Sequence, residues 1–128
     1  MHKAVNPAGI HPPFSNYSHG ILTAGGVLHV SGQLGILRDG TVPVDVLDQA
    51  MACFENIEQI LTEAGLRRRH VTRINAFVTD RWSLASYMDA RNSWVEELEP
   101  PPASTLMIVA GFARPEFRVE VEVTASKH

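Results

Sequence analysis

The chain has a single cysteine, Cys53, so no disulfide can close within its 128 residues and nothing in it asks for an oxidising compartment. It has no apolar run near the roughly 20 residues that cross a bilayer. Its amino terminus, Met1-His2-Lys3-Ala4-Val5-Asn6-Pro7, lacks the apolar stretch of about 7–15 residues that marks a secretory signal. A cytoplasmic location is the expectation. Positive charge is not in excess either. Eleven Lys and Arg against 14 Asp and Glu leave a net charge of −3, which gives no long-range attraction to phosphate backbones or anionic lipid. Neither nucleic acid nor a membrane is an expected partner.

Several motifs are missing as well. The histidines, His2, His11, His19, His29, His70 and His128, form no His-x-His, His-Glu-x-x-His or Cys/His pairing, so no metal site is expected. Glycine-rich phosphate loops are absent, which removes the physical signature of a nucleotide cofactor. No Gly-x-Ser-x-Gly supports Ser18, Ser31 or Ser104 as a nucleophile, and capping or turn roles suit these serines better. There is no internal repeat at periods of 20–50 residues and no low-complexity tract.

What is present fits one domain over residues 1–128, in which 45% hydrophobic residues suffice for a core without disulfides or metal. Residues 6–20, with Pro7, Gly9, Pro12 and Pro13, read as a lead-in loop. Gly25-Gly26 separates Ile21–Thr23 from Val27–Ser31 and predicts a hairpin. From Val44 to Ala64, Leu47, Ala50, Phe54, Ile57 and Leu61 recur at helical spacing, with Asp45 at the start and Gly65 as the C-cap. Residues 71–79 predict a strand. A second helix capped by Ser83 is predicted to run to Pro100-Pro101-Pro102, and strands are predicted at Thr105–Val109 and Phe117–Thr124. The order ββαβαββ predicts an α+β fold, a two-layer domain with both helices on one face of a single mixed β-sheet. Runs such as Leu106-Met107-Ile108-Val109 exceed what one core face buries, so a homo-oligomer covering the second face is expected.

Cys53 falls on the apolar side of the first helix, where a thiol behaves as a small hydrophobe. His29, between Leu28 and Val30, fits a sheet surface. Arg67-Arg68-Arg69, the one basic cluster, fits a solvated helix end more than an RNA-binding patch. Glu120 lies on the polar side of an otherwise apolar strand. A subunit packed over that side would desolvate it, raise its pKa and suit it to proton transfer. Spacing alone equally allows a rim carboxylate in water, like Glu122.

Asn16-Tyr17-Ser18-His19-Gly20, Val30-Ser31-Gly32-Gln33, Asn56, Thr79-Asp80, Pro102-Ala103-Ser104-Thr105 and Val119-Glu120-Val121-Glu122, in this order and spacing, resemble the RidA/YjgF family of reactive-intermediate deaminases, also called the endoribonuclease L-PSP family. The match runs from about residue 4 to residue 125. The resemblance implies a chorismate-mutase-like fold and a homotrimer, in which three sheets form a central barrel with small-molecule clefts between subunits. It also implies hydrolysis of 2-imino or 2-enamino acids to keto acid and ammonia without a metal or organic cofactor. On this resemblance Glu120 positions the water, Tyr17 closes the pocket, and Ser31 and Gly32 contact the substrate.

Ser104 departs from the family, whose active deaminases carry arginine in this motif to hold the substrate carboxylate by two parallel hydrogen bonds. Losing that charge-assisted contact costs about 1.5–3 kcal/mol, or one to two orders of magnitude in binding. Met88 stands where some deaminases have asparagine, which implies a more apolar cleft. Arg91, three residues further along the second helix, is either an ordinary surface arginine or a partial replacement for the missing guanidinium. The expected alternatives to a deaminase are a non-catalytic metabolite-binding or regulatory trimer and, against the charge balance, an endoribonuclease.

Overall fold

The computed structural model describes residues 1–128. Strands β1 (Lys3–Val5), β2 (Gly20–Leu22) and β3 (Val27–Leu34) precede helix α1 (Val46–Glu63). Strand β4 (Val71–Val78), helix α2 (Leu84–Trp94), β5 (Ala103–Ile108) and β6 (Val119–Ser126) follow. They form one six-stranded sheet in the order β1-β2-β3-β6-β4-β5. Only β4 and β5 pair in parallel. Because β6 is antiparallel to both β3 and β4, α1 and α2 each cross between parallel strands in the same direction over the sheet. Right-handed crossovers that advance in one direction place their helices on one face, so the predicted two-layer arrangement follows from the topology.

The core lies between that face and the helices, around Leu28, Ile57, Ile60, Ile74, Val119 and Val121. Stacking of Phe54 of α1 on Trp94 of α2, with ring centroids 4.9 Å apart, joins the two helices. The second face is mixed. Strand alternation and register put His29, Arg73, Asn75, Glu120, Glu122 and Thr105 on it, beside Leu34, Phe77 and the half-exposed Met107.

Several predicted boundaries shift for local reasons. Strand β1 was not foreseen, because three residues carry no periodic signal, and its place in the sheet comes from pairing with β2. Helix α1 begins at Val46, since the Asp45 carboxylate accepts the Leu47 N–H at 2.7 Å. It ends before Gly65, which adopts φ +77°. Helix α2 stops at Trp94, well before the prolines, where the Arg68 guanidinium donates to the Trp94 carbonyl at 3.2 Å. Ser83 stands at the N-cap position of α2, as predicted, but its side chain makes no capping hydrogen bond there. Asp80 caps the short 3-10 turn that precedes α2, its carboxylate accepting from the Ser83 N–H and hydroxyl, both at 2.9 Å.

Gln49 is 1% exposed and ties two segments to α1. Its amide donates to Pro43 O and Glu116 O at 2.8 Å each and accepts from the Arg118 N–H at 3.0 Å. Strand β3 exits directly over it, because a methyl group at Gly35 would lie 2.6 Å from Gln49 Cβ. Gln49→Leu leaves a partly buried N–H and two partly buried carbonyls without their partner, at about 1 kcal/mol each, the low end for unsatisfied groups, so urea unfolding is expected to show a loss of about 2 kcal/mol.

Candidate functional site

Strand β6 alternates strictly, with Val119, Val121 and Val123 buried against the helices and Glu120 and Glu122 on the opposite face. Its neighbour β3 does not. Val30 pairs with Val123 and Gln33 with Val121, so β3 carries an extra residue across Ser31-Gly32, a bulge. The Glu120 carboxyl lies directly over this bulge: a methyl group at Gly32 would stand 2.6 Å from Glu120 Cδ. Glycine is required for that approach. On its other side Glu120 is in register with Phe77 of β4. Burial, and secondly the neighbouring Glu122 charge, raise the Glu120 pKa above 4.5.

Tyr17 sits in the long loop between β1 and β2. Its hydroxyl accepts the Phe14 N–H at 3.2 Å, and its ring meets His19 edge-on, with centroids 6.4 Å apart. The loop is held to the bulge through Ser31, whose N–H donates to His19 O at 2.8 Å and whose hydroxyl donates to Ser18 O at 2.7 Å. Ser31 therefore fastens the loop and does not present a free hydroxyl. Tyr17, Ser31, Gly32 and Glu120 form one connected group.

Ser104 belongs to a second group. It is in register with Ile74 and so points to the helix side, where the Arg91 guanidinium donates to Ser104 Oγ at 3.4 Å. Arg91 also donates to Asn92 Oδ1 at 3.1 Å and lies over the Tyr87 ring. Arg91 and Ser104 line a shallow pocket of about 280 Å³ together with Ile74, Val95, Pro101 and Pro102. Met88 is exposed on α2 and is not part of its lining. Ser104 and Glu120 lie two strands and three residues apart on opposite faces, roughly 14 Å at ordinary strand spacing. A small ligand does not bridge both groups within one chain.

Other motif residues are structural. Asn56 donates to Leu34 O and Ile36 O and fixes the end of β3. Asp80 pairs with Arg118 at 3.0 Å. The largest concavity, about 730 Å³ between the helix ends, contains Arg67-Arg68-Arg69 and none of the predicted site residues. Arg68 there is engaged by Glu58 at 2.6 Å. No cluster of His, Cys, Asp and Glu has the geometry of a metal site, and no helix is long and apolar enough to cross a membrane. Sequence reasoning gave no role to His19, Gln33 or Asn6, which hold the loop, because only the fold brings them within hydrogen-bond distance.

The family model described as Endoribonuclease L-PSP matches residues 9–127, and the chain belongs to that family, the RidA/YjgF family of the sequence motifs. It is 29% identical to the RutC family protein YjgH of Escherichia coli over 120 residues, covering 92% of this chain and 91% of YjgH. It is 27% identical over 103 residues to the E. coli protein named "Putative reactive intermediate deaminase TdcF", covering 79% of each chain. A crystal structure of E. coli TdcF with bound serine superposes with a TM-score of 0.91 at 24% identity, over 98% of this chain and 99% of that one. That likeness establishes the fold.

A carboxylate with a raised pKa costs stability as it ionises. Folded protein holds the Glu120 proton to higher pH than unfolded protein, so this contribution declines as pH rises from about 4.5 through the folded value. Glu120→Gln is therefore expected to be more stable than the parent at pH 7 by thermal unfolding. Gly32→Ala, which pushes the carboxyl off the bulge into water, is expected to return the Glu120 titration toward 4.5 in carboxyl-carbon NMR.

Proposed function

We propose that this chain assembles as a homotrimer whose inter-subunit clefts bind a small imine, enamine or carbonyl metabolite and hydrolyse 2-imino acids to keto acids and ammonia. The observation that carries this reading is the half-buried Glu120 carboxyl seated over Gly32 with its pKa raised. A group titrating closer to neutrality serves as both base and acid in one turnover. The separation of the Glu120 and Ser104 groups favours a composite site, because a neighbouring copy is the economical way to bring them to one ligand. The named activity of TdcF supports the chemistry. So does its crystallisation with serine, a 2-amino acid whose carboxylate and nitrogen are arranged like those of a 2-imino acid.

In the proposed reaction, water attacks the iminium carbon as Glu120 accepts one of its protons. The resulting carbinolamine nitrogen takes up that proton from Glu120, the C–N bond breaks to release ammonia, and the second water proton passes from the hydroxyl to the Glu120 carboxylate as the carbonyl forms and then to the departing ammonia. Iminium plus water gives ketone plus ammonium, and no metal or organic cofactor is required. Tyr17 closes the pocket, the Gly32 backbone and the segment at Ser31 shape it, and Arg91 beside Ser104 supplies the cation for the substrate carboxylate, with Met88 adding apolar surface nearby. One observation favours a second reading, a metabolite-binding trimer without turnover: Ser104 lacks charge and reach, and the nearest guanidinium already spends donors on Ser104 and Asn92. The endoribonuclease activity in the family's name is not favoured, since the net charge is −3 and Arg68, central to the only arginine run, is neutralised by Glu58. Cytoplasmic function as a homotrimer, without nucleic acid or membrane partners, completes the proposal.

The test generates 2-imino acids in place with an amino-acid oxidase and traps unreacted imine with semicarbazide. The parent is expected to reduce trapped imine, Glu120→Ala to abolish that effect, and Arg91→Ala to weaken substrate affinity by roughly one order of magnitude, as loss of a charge-assisted bond predicts. An inert parent from which Ser104→Arg gains activity would replace the deaminase reading with the binding one. Unchanged affinity in Arg91→Ala would remove Arg91 from the site.

A further inference from the structure

His19 is buried, and both of its ring nitrogens are occupied. Nε2 lies 2.7 Å from the His11 carbonyl oxygen, which only accepts, so Nε2 carries a proton. Nδ1 lies 3.2 Å from Gln33 Nε2. That amide nitrogen also donates to the Ser31 carbonyl at 3.1 Å, which fixes the orientation of the Gln33 amide and makes Nδ1 an acceptor. The two assignments agree: the ring is neutral with its one proton on Nε2. The backbone of His19 is held too, its N–H by Asn6 Oδ1 at 2.8 Å and its carbonyl by the Ser31 N–H.

We propose that His19 is a proton-sensitive positioning residue: its imidazole ties the loop that carries Tyr17 to the β3 bulge that seats Glu120, and a second proton on the ring breaks that tie. A proton on Nδ1 would face the Gln33 NH2, donor against donor. Turning the Gln33 amide relieves that clash only by setting its oxygen against the Ser31 carbonyl, acceptor against acceptor. Neither arrangement satisfies all the groups, and a frustrated buried polar network is costly.

The groups around the ring offer an added charge no partner. The loop contributes His11, whose own charge opposes another, and the Tyr17 ring edge. Strand β3 contributes Ser31 and Gln33, and the end of β1 leads to Asn6. Helix α1 brings neutral Gln59 against Gly9 and Ile60 against Gly20. The Glu120 carboxylate, over Gly32, lies on the other face of the sheet. Burial lowers the His19 pKa below 6.5. The unfolded chain therefore takes up this proton first as pH falls, and stability declines below about 6.5.

This inference rests on the reading of Tyr17, Gly32 and Glu120 as one site, but its test does not require turnover. Imidazole nitrogen NMR on the full protein, followed from pH 8 to 4.5 together with the Gly32 amide and Tyr17 ring signals, measures tautomer and coupling directly. The expected result is an Nε2–H tautomer at neutral pH, a His19 transition below 6.5, and Gly32 and Tyr17 signals moving along the same curve. Because Glu120 also titrates beside Gly32, the series is repeated in Glu120→Gln, where the His19-linked movement is expected to remain. His19→Asn keeps an acceptor for Gln33 and cannot be protonated in this range, so it is expected to flatten that movement. An Nδ1–H tautomer, or Gly32 and Tyr17 signals indifferent to the His19 curve, would overturn the proposal even if no variant folds. In an active enzyme, kcat/KM is expected to gain an acid limb at the His19 transition that His19→Asn removes. An inert parent protein with the NMR coupling intact would refute the deaminase reading alone.

Discussion

Glu120 lies against β3 only because Gly32 has no side chain, and the bulge that contains Gly32 sets the course of everything around it. Strand side chains alternate, so one extra residue reverses which side of the sheet the following residues face. Leu28 and Val30 point to the helices before the bulge, and Gln33, an odd number of residues later, points there after it. That reversal delivers Gln33 to His19 and leaves the Gly32 backbone open toward Glu120. A regular strand would turn Gln33 out and the loop would lose its anchor. The strand ends just before Gly35, which passes over Gln49, so its exit is matched to the most tightly bonded amide on α1.

The site takes its character from desolvation more than from paired charge. No cation lies against Glu120, and its neighbours are a glycine backbone, Phe77 in register and a second carboxylate, Glu122, which together disfavour ionisation. His19 is neutral by the same logic, walled by amides and carbonyls. The ion pairs lie elsewhere and serve the frame: Asp80 with Arg118 at the start of α2, and Glu58 with Arg68 between the helix ends. Both are partly exposed, where such pairs contribute little net stability, so their part is to fix geometry. Arg91 lies beside Ser104 instead, on the helix side of the sheet.

Legibility in the sequence followed the length of each signal. The 18-residue α1 and the strict alternation of β6 announced themselves by period. The three residues of β1 did not, and the end of α2 was misplaced because its stop is a guanidinium from Arg68 rather than a local breaker. Ser83 takes the N-cap position of α2, but its hydroxyl donates to Asp80, three residues earlier, and so makes no capping bond. Among the candidate site residues, Glu120 and Gly32 stood out by pattern and resemblance, and the fold sets them in contact. Met88 remained apart from the pocket that its neighbour Arg91 lines.

Periodicity and turn residues by themselves determined that this chain forms an α+β domain with one apolar strand face. These properties are local, or they are sums over the chain. Which residues meet is not local. The contact of Glu120 with a glycine 88 positions earlier in the chain, the enclosure of the His19 ring by His11 and Gln33 and the division of the predicted site residues into two groups were decided only when the β3 bulge and the two crossovers brought distant segments together. Strand register acts on pairs of residues, and a single sequence records no pairs.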